Sequence, residues 1–184
     1  LKFVSGKIRR AMQDRIQSVV RNALMGSPEY TSLLGGKLQA HLGVTEPASR
    51  ITAIIEQWVG NISVETKVGG SKNLFRIEIG VLQDDYADVL ALKEASYEYE
   101  KGVIPWLEWL LLEGDKRIVR KYEFSPTRRG SRTGLGIMVN KSRGGWQVPA
   151  EFSGTQSNNF ATRALDKIDI DIDKIAENIM KEML

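Results

Sequence analysis

The sequence contains no cysteine and a single histidine, His41. Without thiols there is no disulfide framework, no thiolate metal site and no cysteine nucleophile, a composition that fits a reducing compartment. One histidine cannot make a zinc cluster. A Ser-His-Asp arrangement would have to use His41, which falls at the end of an expected short helix just before Gly43. There it reads as a polar residue beside the negative end of the helix dipole. Long apolar runs are also missing. The longest, residues 106–112, is interrupted by Glu108 and is far too short to cross a membrane. Residues 1–10 are broken by Lys7, Arg9 and Arg10 with no small-residue cleavage site after them, so they do not read as a signal peptide.

Chemical motifs are equally sparse. Gly134-Leu135-Gly136 lacks the third glycine of a dinucleotide fingerprint and leads into a strand instead of a helix. Asp169, Asp171 and Asp173 lack the loop glycine and closing glutamate of a calcium-binding hand. The expectation is a protein without enzymatic activity, with no catalytic or metal residues and no cofactor.

What is present suits one globular domain. The chain has 184 residues, 42% hydrophobic and 27% charged, enough to bury a single core. Net charge is only +3, which excludes a strongly basic DNA coat, but the charge is unevenly placed. Residues 116–143 hold nine basic side chains against one acid, Glu123, whereas acids outnumber bases from Asp166 onward. Such a chain can pair with copies of itself or meet nucleic acid at one face.

Periodicity gives an α+β class, with N-terminal helices, a small antiparallel sheet and a long C-terminal helix packed on the sheet. Ile8, Met12, Ile16, Val19, Val20, Ala23 and Leu24 stripe one face of a helix over residues 5–25. Ser27-Pro28 opens a second helix, broken at Gly35-Gly36, and Thr45-Glu46-Pro47 opens a third that closes at Gly60-Asn61. Alternation then marks a hairpin, residues 62–68 and 75–81, around a turn at 69–72. Further strands are expected at 95–100, 118–124 and 135–139, with a short helix at 106–113. Residues 125–134 form a loop carrying Arg128, Arg129 and Arg132. Within one domain, residues 1–60 are mainly helical and 61–140 form the sheet. Residues 141–158 make an extended arm, of which 146–154, without regular period, orders on assembly, and 159–184 are the last helix. Leu165, Ile168, Ile172, Ile175, Ile179 and Met183 carry that helix through the alternating Ile-Asp run at 168–173.

Two features keep several readings open. The helix at 106–113 is apolar almost all round. It is either a core helix or a helix with one tryptophan, Trp106 or Trp109, reaching a partner subunit. The arginine loop is a solvated tip, a salt-bridging element to the acidic last helix of a neighbour, or a phosphate contact that does not read sequence. A non-specific nucleic-acid-binding module using residues 116–143 is the alternative function.

Three stretches carry a resemblance. They are Ser27-Pro28-Glu29-Tyr30 through Leu42-Gly43-Val44, Pro105-Trp106-Leu107-Glu108-Trp109 through Gly114-Asp115, and Trp146-Gln147-Val148-Pro149 through Asn159-Phe160-Ala161-Thr162-Arg163-Ala164-Leu165. Together the sequence resembles neck and tail-completion virion proteins of tailed bacteriophages, the group that joins head to tail or terminates the tail. Phe160, Arg163 and Ala164 occupy its aromatic, arginine and small-residue positions at the start of the last helix. The resemblance implies a virion protein assembled in the host bacterial cytoplasm. It implies a homo-oligomeric ring, a hexamer or dodecamer, around the DNA channel. The implied partners are copies of itself, other neck and tail proteins, and genomic DNA in the channel, with no membrane. Trp106, Trp109, Trp146 and Phe160 are then interface or core anchors, Arg163 pins the last helix, and Arg128, Arg129 and Arg132 touch a neighbour or DNA.

Overall fold

The computed structural model describes residues 2–68, 75–80, 86–99, 102–168, 174–175, 177–179 and 181–182. Within these, residues 2–5, 8, 66–68 and 75–80 are described by backbone alone. The chain opens with α1, Lys2–Met25, on which the apolar stripe buries Met12, Ile16, Val20 and Leu24. Gly26 and Ser27 turn the chain. The Ser27 hydroxyl then accepts from the Tyr30 amide at 3.1 Å, capping α2, Pro28–Gly35. A break at Gly36 separates α3, Lys37–Leu42, which ends on Gly43 at φ +66, the left-handed conformation that suits glycine. After it comes α4, Pro47–Gly60, whose Ile51, Ile54, Ile55, Trp58 and Val59 are buried. Arg21 of α1 grips Glu56 of α4 through both nitrogen–oxygen pairs, at 2.7 and 2.8 Å.

The strands differ from expectation in how they associate. Among the described residues they form three separate two-stranded antiparallel ladders, where one sheet was expected. Strand β1, Ser63–Val68, pairs with β2, Phe75–Gly80. The turn at 69–72 and Val81 lie outside the described residues. Helix α5, Ala87–Leu90, and a 3-10 turn, Lys93–Ala95, then intervene. The strand expected at 95–100 is the shorter β3, Tyr97–Tyr99, paired with β4, Gly102–Ile104. Helix α6, Trp106–Leu111, intervenes again before β5, Val119–Ser125, pairs with β6, Ile137–Trp146. Alternation reveals a strand but not its neighbour. Helices α5 and α6 bury Val89, Trp106, Leu107, Leu110 and Leu111 in the core and so stand between successive ladders.

The C-terminal region also departs from expectation. The last helix with continuous description, α7, is only Phe160–Leu165, and it packs on α1 and α6, not on a sheet. The backbone turns at 166–168, where the Ile168 amide bonds the Leu165 carbonyl at 2.9 Å. Residues 174–175, 177–179 and 181–182 are helical, while 169–173, with the three aspartates, lie outside the described residues. Of the expected stripe, Ile168 and Ile179 are buried and Leu165 and Ile175 partly so, while Ile172 and Met183 lie outside the described residues. A stripe reports which side chains face the core; it does not require an unbroken hydrogen-bond ladder between them. The extended arm expected at 141–158 is shorter too, because residues 141–146 belong to β6. The remainder folds onto the body, with Val148 and Gly154 buried and a bridge between Thr155 and Asn158.

The core is a single cluster joining α1 to α4 with the aromatic segments that follow. Trp58 meets Phe160 and Tyr86 edge-on, at centroid distances of 5.6 and 6.4 Å. Trp106 is fully buried and its indole donates to the Glu94 carbonyl at 2.9 Å. Trp106, Trp146 and Phe160 are therefore core residues of one chain. Trp109 is partly buried and tilts against Trp146 at 5.7 Å.

Candidate functional site: the basic hairpin

The charge concentrated at 116–143 falls on the β5–β6 hairpin. Residues 119–146 contain seven basic side chains and one acid, a net +6; the rest of the chain, with 19 basic and 22 acidic residues, carries −3. The hairpin is irregular in its middle. Arg120 pairs with Gly145, but Tyr122 pairs with Asn140, so Lys121 alone stands opposite four residues, Lys141, Ser142, Arg143 and Gly144. Lys121 sits at φ +60 and Gly144 at +101. Lysine is strained in that region, glycine is not. Such a bulge bends the strand that carries it.

The bend has a visible result at His41. The imidazole stacks on Phe124, with centroids 4.0 Å apart and planes at 22°. Its Nδ1 also accepts the Trp146 indole N–H at 3.1 Å. Trp146 pairs with Val119, which lies five residues from Phe124; a straight strand would separate such positions by about 16 Å. The hairpin instead curls over α3 so that one imidazole touches residues from both of its ends. Burial pushes the His41 pKa below its ordinary value; Lys37 adds to this and Glu151 opposes it. Lys37 and Glu151 pair with each other at 2.6 Å. The ring is thus held neutral with Nδ1 free to accept, a structural role that engages the one histidine.

The tip is fastened as well. Arg132 lays its guanidinium 4.2 Å above the Tyr97 ring and donates to the Tyr97 hydroxyl at 2.7 Å, with a longer contact to the Gly43 carbonyl at 3.5 Å. Tyr97 donates its own hydroxyl proton in a hydrogen bond to the Leu42 carbonyl at 2.8 Å. Burial raises the Tyr97 pKa, outweighing the opposing effect of Arg132, so the hydroxyl keeps that proton. A side chain on Gly43 would stand 2.8 Å from the Arg132 guanidinium. The loop is further ordered by the Ser131 hydroxyl, which donates to the Gly136 carbonyl at 2.7 Å and accepts from the Leu135 and Gly136 amides.

The three arginines expected to act together are therefore split. Arg132 is committed to the body, while Arg128 and Arg129 are exposed with no ion-pair partner among the described residues. Arg120, Lys121 and Arg143 are likewise exposed and unpaired among the described residues, whereas Lys141 reaches Glu123 at 3.4 Å.

Arg163 serves elsewhere. Its Nε and Nη2 meet one oxygen of Glu29, at 2.9 and 2.8 Å, in the first turn of α2. The remaining donors reach the Phe152 and Ser153 carbonyls at 3.2 Å and the Asn158 side chain at 3.0 Å. Beside it, buried Asn159 caps α7 by accepting from the Ala161 and Thr162 amides, and the Thr162 hydroxyl accepts from the Asn159 amide in return. Asn159 also donates to the Tyr86 hydroxyl at 3.0 Å and the Thr155 carbonyl at 2.9 Å. Tyr97, Glu29, Tyr86 and Asn159 were not singled out from sequence as site residues. Their partners lie 35 to 134 residues away, and no local pattern marks such a pair.

Among the described residues there is no group of three or more histidine or acidic side chains placed to hold a metal. Nor, among the described residues, is any helix long and apolar enough to cross a membrane. No family model, curated protein or solved structure matches this chain.

Proposed function

We propose that the protein is a structural subunit of a tailed-phage virion. It forms a homo-oligomeric ring, of six or twelve copies, at the neck or the top of the tail. There it joins head to tail around the DNA channel, in contact with other neck and tail proteins. Its action is assembly, not catalysis.

One observation carries this reading. The three stretches on which the resemblance rests are distant in sequence but meet in the fold. Glu29 of the first is bonded to Arg163 of the third. Gly114 of the second donates to the Gly154 carbonyl of the third at 3.0 Å, and a side chain at either glycine would strike the opposing backbone at 2.4 Å. Trp109 of the second packs on Trp146 of the third. The residues that carry the resemblance thus interlock as parts of one scaffold.

Light scattering of the purified protein, with negative-stain images of the same sample, tests the proposal. Closed rings with a central hole are expected. A monodisperse monomer across the accessible concentration range, with no rings on the grid, would remove the ring.

A further inference from the structure

The basic hairpin is prearranged as a surface. Its inner side is occupied, since Phe124 and Trp146 hold His41 and Arg132 holds Tyr97. The side chains of Arg120, Lys121 and Arg143, at or beside the bulge, and of Arg128 and Arg129, toward the tip, are all exposed and make up its outer face. None of these five is in an ion pair with a described residue. Their cost of ordering falls on a hairpin already fixed at both ends.

We propose that this outer face binds the sugar-phosphate backbone of nucleic acid without reading its sequence. The chemistry favours a phosphodiester over an acidic protein surface. Protein interfaces centre on buried apolar and aromatic groups, with charged residues depleted at that centre. On the hairpin the exposed large apolar residues are Tyr122 and Leu135, each only 37% exposed, and the cations dominate. Phosphate contacts need charge and donors, which arginine's fork supplies in matching geometry. Gly130, Gly134 and Gly144 have open space where a side chain would stand, so a backbone can come close to the loop and the bulge. The +6 hairpin on a −3 body also orients the approach of a polyanion. The proposal does not depend on ring formation. A ring that binds no nucleic acid would overturn it and leave the ring intact.

The test is fluorescence anisotropy with a labelled 30-base-pair duplex of arbitrary sequence, across 50–200 mM salt, in whichever oligomeric state the protein adopts. Five phosphate contacts per protomer predict a log–log slope of about −4.5, and so roughly 500-fold weaker binding at the upper salt than at the lower. Arg120→Gln/Lys121→Gln/Arg143→Gln should reduce the slope to about −1.8, and Arg128→Gln/Arg129→Gln to about −2.7. All the substituted side chains are exposed, so thermal unfolding should be unchanged and serves as the folding control. Absence of binding at 50 mM salt would overturn the proposal. So would slopes unchanged in both variants, or competition by poly-glutamate as strong as by unlabelled duplex, which would assign the face to acidic proteins.

Discussion

Removing the Arg163 side chain is expected to destabilise the fold more than any other single charge deletion on this chain. In Arg163→Met the aliphatic stem remains, but the Glu29 carboxylate, with its side chain only 5% exposed, loses its cation. Breaking a fully buried pair from one side costs about 3–5 kcal/mol, because the stranded charge has neither water nor partner. Arg163 is itself 29% exposed, so water can reach part of the site and the expected loss falls to about 2–3 kcal/mol. The Phe152 and Ser153 carbonyls lose donors as well, which loosens the segment leading into α7. At this chain length the loss corresponds to a fall in melting temperature of about 5–10 °C. Urea unfolding followed by tryptophan fluorescence measures it directly. Adding Glu29→Gln in the same chain removes the stranded charge and should restore about 1 kcal/mol, so the two substitutions are strongly non-additive. A loss below about 1 kcal/mol for Arg163→Met, or additive effects in the double variant, would refute the account of Arg163 as the counter-ion of a buried carboxylate.

Other consequences can be checked with the same assay. The His41 pKa is lowered in the fold, so the unfolded chain binds the extra proton first as pH falls. The stability from the neutral ring is complete above about pH 6.5 and declines as pH drops toward the folded value. Urea midpoints at pH 7.5 and 5.5 should differ in the parent and lose that part of the difference in His41→Gln; equal slopes in both would sink the assignment. Gly114→Ala puts a Cβ 2.4 Å from the Gly154 nitrogen and 2.9 Å from the Ser153 Cα, both backbone atoms, and should cost about 1–3 kcal/mol. Reversing charge with Arg128→Glu/Arg129→Glu should leave monomer stability within about 0.5 kcal/mol of the parent while weakening duplex binding at 50 mM salt beyond the effect of the glutamine pair. Binding equal to that of the parent would remove these side chains from the phosphate contact.

Much of the helical half was legible because its signals are local. The Ser27-Pro28 start, the Gly43 stop and the 12, 16, 20, 24 spacing on α1 are each written within a few residues, and each has a physical reason to act there. The failures share a different cause. Whether 62–80, 97–104 and 119–146 share one ladder depends on what α5 and α6 bury between them. The β5–β6 bulge was hidden because residues 141–158 read as an extended arm, when Gly144 and Gly145 accommodate a bend inside a strand. Of the candidate site, the basic side chains were plain in the sequence, but their division into one latch and two free groups was not. That division turns on Tyr97 and Gly43, and nothing in the spacing links either to Arg132.

The fastening of the hairpin has a mechanical consequence. Two of its attachments reach α3 or its cap: the His41 ring takes the two strands, and the Leu42–Gly43 carbonyls lie beneath the Tyr97–Arg132 pair. With Trp146 also packed on Trp109, the hairpin behaves as a beam held at both ends, not as a cantilever free at its tip. A load on the outer face cannot be relieved by swinging the tip. It flexes the mid-span, where Lys121 is already in a strained conformation, or it rocks α3 as a whole. Since α3 is tied to α2 through Gly36 and through the Ser32 hydroxyl, which accepts from the Leu38 amide at 2.9 Å, force gathered along the hairpin passes on into α2.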